Sequence, residues 1–307
     1  MKYKIFLILF IFISNVSLSQ LRNKNNNIKT ESINKKRFTG IIITDCALYA
    51  SSMTGLYYLW YKDYPQTSFH FINDNKEWLQ MDKIGHATTS YCISRFAYES
   101  FKWAGVDNKK SVFYGGGLGF AYLTTIEILD GFSKEWGSSS GDLLANTFGS
   151  ALFISQQLAW NQQKIILKYS FHKTKYSKYR EDALGSNIIE NMLKDYNGQT
   201  YWLSFNINSL IDNNINIPDW LNFSLGYGAD GMLGGNANPL FNDDGVPLPN
   251  YKRQRQYYLS FDIDMTKIKT KSKFLKEVFK VFNFIKIPFP ALEYNKTDNF
   301  KFHLLYF

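Results

Sequence analysis

The sequence predicts an α+β fold in which four apolar helices form a core and an antiparallel β region follows, interrupted by a basic amphipathic helix. Three observations predict it. Residues 39–160 hold four apolar segments of helix length, each closed by glycine, asparagine or a polar turn. From Gln162 onward, short aromatic and β-branched runs are separated by Gly, Asn, Asp and Pro clusters, the pattern of antiparallel strands. Between the last two runs, apolar residues return at helical spacing with lysines on the flanks.

The chain opens with Lys2 and Lys4, an apolar run from Ile5 to Ile13, and Ser17 and Ser19 before Gln20. This is the plan of a secretory signal peptide over residues 1–19. With no cysteine near the expected cut, a lipid-modified N-terminal cysteine is not offered. Residues 20–37 are rich in Asn and Lys and read as a flexible leader. The helical domain then runs over 38–161.

Its first helix, Thr39 to Tyr61, is long enough to cross about 30 Å of hydrocarbon, with Asp45 interrupting it near one end. A loop with Pro65, Asn73, Asp74 and Asn75 follows, holding a short extended piece around Phe69 to Ile72. The second helix runs from near Met81 to Trp103 and is ended by Gly105. The third begins after Asn108 and carries Gly115, Gly116, Gly117 and Gly119. Glycine inside a helix costs about 1 kcal/mol against alanine, so the cluster implies close approach of a neighbouring backbone. A phosphate-cradling loop would need a lysine and a preceding strand that are missing here. The fourth helix opens at the Ser138–Ser140 run, with Ser139 and Asp142 in capping-box register, and ends near Trp160.

In the β-rich region, 162–307, the runs KIILKYSFH, TYWLSFNINSL, LNFSLGYGADGML, RQYYLSFDIDM and FKFHLLYF read as strands. Tyr258, Ser260, Asp262 and Asp264 alternate with Leu259, Phe261, Ile263 and Met265. The amphipathic helix, over about 270–286, sets Phe274, Val278, Val281, Phe282 and Ile285 against Lys271, Lys273, Lys276 and Lys280. Those four lysines with Phe274 are candidate membrane-binding residues, although an ordinary surface helix carries the same pattern. The terminal Phe307 after a strand-like run resembles the end of outer-membrane β-barrel proteins, yet some five strands do not make a complete barrel.

A formal charge of +9 and 18% aromatic content suit an exported protein that meets anionic lipid, a membrane surface or an envelope protein partner. Nucleic acid is not expected in that compartment. Cys46 and Cys92 lie in apolar helical segments and read as two buried free thiols or one inter-helix disulfide; their spacing fits no metal knuckle.

The chemistry-bearing residues concentrate on the helices. Asp82 and His86 are four apart, Glu127 and Asp130 three apart, Asp142 and Asn146 four apart, so each pair shares a helix face. If helices two to four pack antiparallel, all three pairs come to one end. A histidine oriented by a carboxylate serves as a general base or a metal ligand. The same six residues could instead form a hydrogen-bonded lock that fixes helix register. No cofactor or metal is named by the pattern.

The motifs MDKIGHA, IEILDGFSKEWGSSSGDLLANTFG and LKDYNGQTYWLS together resemble the YfiM-like family of predicted periplasmic lipoproteins, over about Phe38 to Ser204. The resemblance implies an envelope location and a compact helical core, and brings no activity with it. A fainter likeness to VanZ-like membrane proteins places Asp82, Lys83, His86, Glu127, Asp142 and Asn146 in matching positions. The sequence thus points to an exported protein of the periplasm or outer membrane, a membrane-associated structural or lipid- and partner-binding component. The alternative is a metal-dependent or acid/base enzyme acting on an envelope lipid or glycan through the His86 cluster.

Overall fold

The computed structural model describes residues 33–210, 217–242 and 244–307. The expected signal peptide, and the leader as far as residue 32, lie outside them. The last leader residues are helical: Asn34 caps helix α1 (Lys35–Leu56), its side chain accepting from the Arg37 N–H at 3.1 Å. A π-helical turn, Tyr57–Tyr61, extends α1. The other long helices are α2 (Met81–Trp103), α3 (Asn108–Gly131) and α4 (Ser140–Trp160). The two-residue strands β1 (Phe71–Ile72) and β2 (Ser138–Ser139) pair in parallel.

The chain divides into two units. The first holds the described residues up to Asn73, then Thr89–Gln162 and Lys269–Phe282. The second holds Asp74–Thr88, Gln163–Ile268 and Asn283–Phe307, so the division falls inside α2.

In the first unit, Ile41, Ala97, Phe101, Ala104 and Val106 form an apolar cluster, while α3 buries mostly small and polar residues beside Val112 and Leu123. Ser111, Gly115, Gly116, Gly119 and Glu127 of α3 are buried, while Phe113, Leu118, Phe120 and Ile128 are exposed. The glycine cluster makes the close approach its composition implied. A Cβ on Gly115 would stand 2.6 Å from the Ser94 carbonyl oxygen of α2, and one on Gly116 would meet Ile154 of α4. Gly117 faces open space. Among the described residues, one helix, α3, is long and apolar enough to cross a membrane. Cys46 is exposed on α1 and Cys92 half-buried in α2, both free thiols, so the expectation of two buried thiols fails at Cys46, which lies on the outer face.

The second unit is built on a six-stranded antiparallel meander: β3 (Ile165–Phe171), β4 (Gln199–Asn206), β5 (Leu221–Asp230), β6 (Gln254–Ile263), β7 (Phe289–Asn295) and β8 (Asn299–Tyr306). Short helices α5 (Glu181–Leu184) and α6 (Ile188–Lys194) join β3 to β4, and α7 (Ile207–Leu210) follows β4. The sixth strand, β7, falls between the expected amphipathic helix, about 270–286, and the terminal run, where the sequence reading assigned no element. That helix, α8, covers only Lys273–Phe282. Pro288 and Pro290 concealed the strand, because proline supplies no ladder N–H. Pro290 stands opposite Leu304 and Leu305, where the β7–β8 register slips, so the missing donor falls at an irregularity.

Candidate functional site

The Asp82–His86 pair belongs to the second unit. Immediately before α2, Trp78, Leu79 and Gln80 take left-handed backbone angles, φ 46°, 51° and 66°. Such residues are costly for side chains with a Cβ, so surrounding contacts must hold them. The Trp78 N–H donates to the Gly235 carbonyl at 2.8 Å, Arg255 donates to the Gln80 side chain at 2.6 Å, and Tyr227 donates to the Leu79 carbonyl. The turn delivers Asp82 and His86 one helical turn apart, with 3.8 Å between His86 Nε2 and Asp82 Oδ1. Tyr196 donates its hydroxyl to the same carboxylate at 2.6 Å, and Lys83 bridges Asp82 at 3.2 Å and Asp74 at 2.6 Å. Burial alone would raise the Asp82 carboxyl. His86, Lys83 and the Tyr196 hydrogen bond outweigh it and hold the group below the usual carboxylate range.

Glu127, Asp130, Asp142 and Asn146 belong to the first unit. Ser139 caps α4, its Oγ accepting from the N–H groups of Gly141 and Asp142. In a capping box, the acid at Asp142 would reach back to the Ser139 N–H. Here Glu127 of α3 accepts that N–H instead, at 2.9 Å, so α3 is tied to the start of α4 through a buried carboxylate. Asp142 and Asn146 are buried on α4, and Ser90 donates to the Asn146 carbonyl at 2.8 Å. Asp130 accepts the hydroxyl of Tyr61, whose ring packs edge-on against Trp136.

Tyr196, Tyr61 and Asp74 are partners that the reading of spaced acids missed. Tyr196 left a trace, since it lies within the motif LKDYNGQTYWLS. Nothing in sequence spacing pointed Tyr61 toward Asp130.

The sheet carries a second candidate surface, and its polarity is inverted. In-register residues form rows across the strands. Tyr169, Tyr201, Tyr227, Tyr257, Tyr294 and Phe300 make one row through all six strands. Leu167, Leu203, Leu225, Leu259, Leu292 and Phe302 make the next, and Ile165, Phe205, Phe223 and Phe261 a third. From β4 onward, leucines of the middle row are exposed. The opposite face is polar and buried. Lys168 of β3 reaches Asp262 of β6 at 2.7 Å with both side chains fully buried. Ser204 donates to the same carboxylate at 2.7 Å, Asn222 donates to Ser204, and Lys286 lies 4.8 Å over the Trp202 ring. Tyr306 of β8 donates to Tyr258 of β6 at 2.7 Å and stacks on its ring, while Glu293 and His303 pair at 2.6 Å. These reaches from β3 to β6 and from β6 to β8 mean that the sheet curls around its polar side.

At the tyrosine row, a Cβ on Gly85 of α2 would stand 2.7 Å from the Tyr201 hydroxyl. The Asp82–His86 turn therefore sits over the β4 end of that row. Lys271, just before α8, and Lys273, Phe274 and Lys276 on it are exposed, Glu277 is buried, and Lys280 lies 3.7 Å from Glu99 and 3.5 Å from Glu277.

Residues 70–156 match the family model described as Predicted periplasmic lipoprotein (DUF2279). The matched stretch contains Asp82, His86, Glu127, Asp130, Asp142 and Asn146 and stops before the six-stranded sheet. No curated protein and no solved structure matches the chain.

Proposed function

We propose, with the match to a periplasmic lipoprotein family as the premise for an exported chain, that this protein is an integral component of the outer membrane. Its sheet lies with the Tyr, Leu and Phe rows against lipid, and its role is structural or lipid- and partner-binding. The observation that carries the reading is the inverted sheet: Leu203, Leu225, Leu259, Leu292, Tyr257, Tyr294 and Phe261 are exposed on one face, over a buried network of Lys, Asp, Ser and Asn on the other. A water-soluble sheet buries its apolar face, whereas a membrane strand alternates apolar outward and polar inward. An aromatic row beside an aliphatic one is the arrangement of a barrel wall at the headgroup boundary. The strands, of 7 to 10 residues, reach about 23–33 Å at the usual rise, against an apolar band of about 25 Å.

Extraction of isolated envelopes with alkaline carbonate tests the proposal. The protein should stay with the membrane pellet and leave it only in detergent. Recovery of folded protein from the carbonate supernatant would end the lipid-facing reading.

A second reading is supported by the proximity of His86 to Asp82, 3.8 Å apart at the start of α2, where the neighbouring Gly85 lies against Tyr201 of the tyrosine row. In this reading His86 is a general base or metal ligand of an enzyme acting on an envelope lipid or glycan near headgroup depth. Metal content of purified wild type, His86→Gln and Asp82→Asn tests it. Stoichiometric metal lost on substitution favours a ligand role; no metal in any form, with a lower melting temperature for His86→Gln, leaves Asp82–His86 as a structural lock.

A further inference from the structure

The two edges of the sheet differ. At β3, the segment after α8 lies alongside: the Tyr169 N–H donates to the Phe284 carbonyl at 2.8 Å, and the Lys286 N–H to the Tyr169 carbonyl at 2.9 Å. At β8, no strand lies beyond the ladder to β7 among the described residues. The side chains register the gap. In the leucine row, Leu225, Leu259 and Leu292 are 43%, 42% and 39% exposed, and the β8 member Phe302 is 66% exposed. Phe300, at 69%, stands beside Tyr294 at 44%.

An open edge inside hydrocarbon leaves N–H and C=O groups that nothing can satisfy, so membrane sheets close or pair. We propose that the free edge of β8 pairs antiparallel with β8 of a second copy of this chain, joining two six-stranded sheets into one apolar surface. The inference rests on the outer-membrane reading above. The occupant must be a strand with apolar alternation. Residues 20–32, QLRNKNNNIKTES, lack it. An edge open in one copy is open in every copy, and a two-fold contact satisfies both at once. With the axis at Phe302, Phe302 meets its own counterpart and Phe300 meets Leu304. Lys301, carried into the polar row, already stands opposite Glu293 of its own chain.

The test uses the full-length chain carrying Cys46→Ser and Cys92→Ser, with one new cysteine at a time: Phe300→Cys, Phe302→Cys or Leu304→Cys on β8, and Leu225→Cys or Leu259→Cys as controls. Native membranes are oxidised with copper phenanthroline, and the mass of the wild-type protein is measured in lipid nanodiscs. The expected result is a disulfide homodimer from β8 positions, strongest at Phe302→Cys, little from the controls, and a nanodisc mass of two chains. A single-chain mass without β8 dimers, in protein that resists carbonate extraction, overturns the pairing and leaves the membrane reading standing. Cross-linking to a different protein also overturns it. Extraction by carbonate removes the premise itself.

Discussion

Replacing Leu225 by Arg separates a lipid-facing sheet from a sheet that faces water. Leu225 lies on the central strand β5, between Leu203 and Leu259 in the leucine row, and is 43% exposed. In water, a substitution at so open a position changes stability by about 0.5 kcal/mol or less. On the outer wall an arginine costs from about 1 kcal/mol near the headgroups to about 2–4 kcal/mol at mid-bilayer, so Leu225→Arg, one row in from the tyrosines, should lose about 1–2 kcal/mol, roughly 5- to 30-fold in the folding equilibrium. Leu240, more exposed at 75% but outside the strands, provides the control: Leu240→Arg should fall within about 0.5 kcal/mol. The assay is urea unfolding of protein refolded into phosphocholine vesicles, followed by tryptophan fluorescence. A Leu225→Arg loss no larger than that of Leu240→Arg would refute the argument from the exposed rows.

Further substitutions test the packing of α3, the buried ion pair and the Asp82 contacts. Gly119→Ala should destabilise by about 1–3 kcal/mol in detergent unfolding, because its Cβ would lie 2.4 Å from the Ser90 carbonyl oxygen, whereas Gly117→Ala, facing open space, should gain up to about 1 kcal/mol. Lys168→Met strands the buried Asp262 carboxylate and should cost about 3–5 kcal/mol, with Lys168→Met/Asp262→Leu recovering most of the loss in the same measurement. Because the folded-state pKa of Asp82 is depressed, its contribution to stability is present above the unfolded value near 3.9 and disappears as pH falls through the lower folded value. Asp82→Asn should therefore flatten the acid limb of melting temperature against pH below about pH 4, and an unchanged limb would count against the Tyr196 and Lys83 contacts.

Helix positions were legible because they depend on local signals: Gly105 and Asn108 between α2 and α3, and the Ser138–Ser140 run before α4. Alternation in β6 was legible too, yet its sense was not. Leu259 and Phe261 against Ser260 and Asp262 reads equally well with either row inside, and only the contacts of Lys168 and Ser204 with Asp262 decide it. The spacing of Asp82 and His86 survives as real proximity because i and i+4 share a helix face. Tyr196 reaches Asp82 across 114 positions, and no periodicity encodes such a contact. Strand β7 was hidden by prolines tolerated where its ladder is broken.

The left-handed turn at Trp78–Gln80 has a temporal consequence. Three successive residues in that conformation oppose helix nucleation by about 1–2 kcal/mol each. Gly235, Tyr227 and Arg255, which compensate for this, lie about 150 or more positions downstream. The start of α2 is thus the last part of its helix to mature. As the chain emerges from its N-terminus, Asp82 and His86 wait for their fixed positions until β5 and β6 have come together. The anchoring of Asp82 by Tyr196 beside His86 is then a product of completed assembly, with no counterpart in the helix alone.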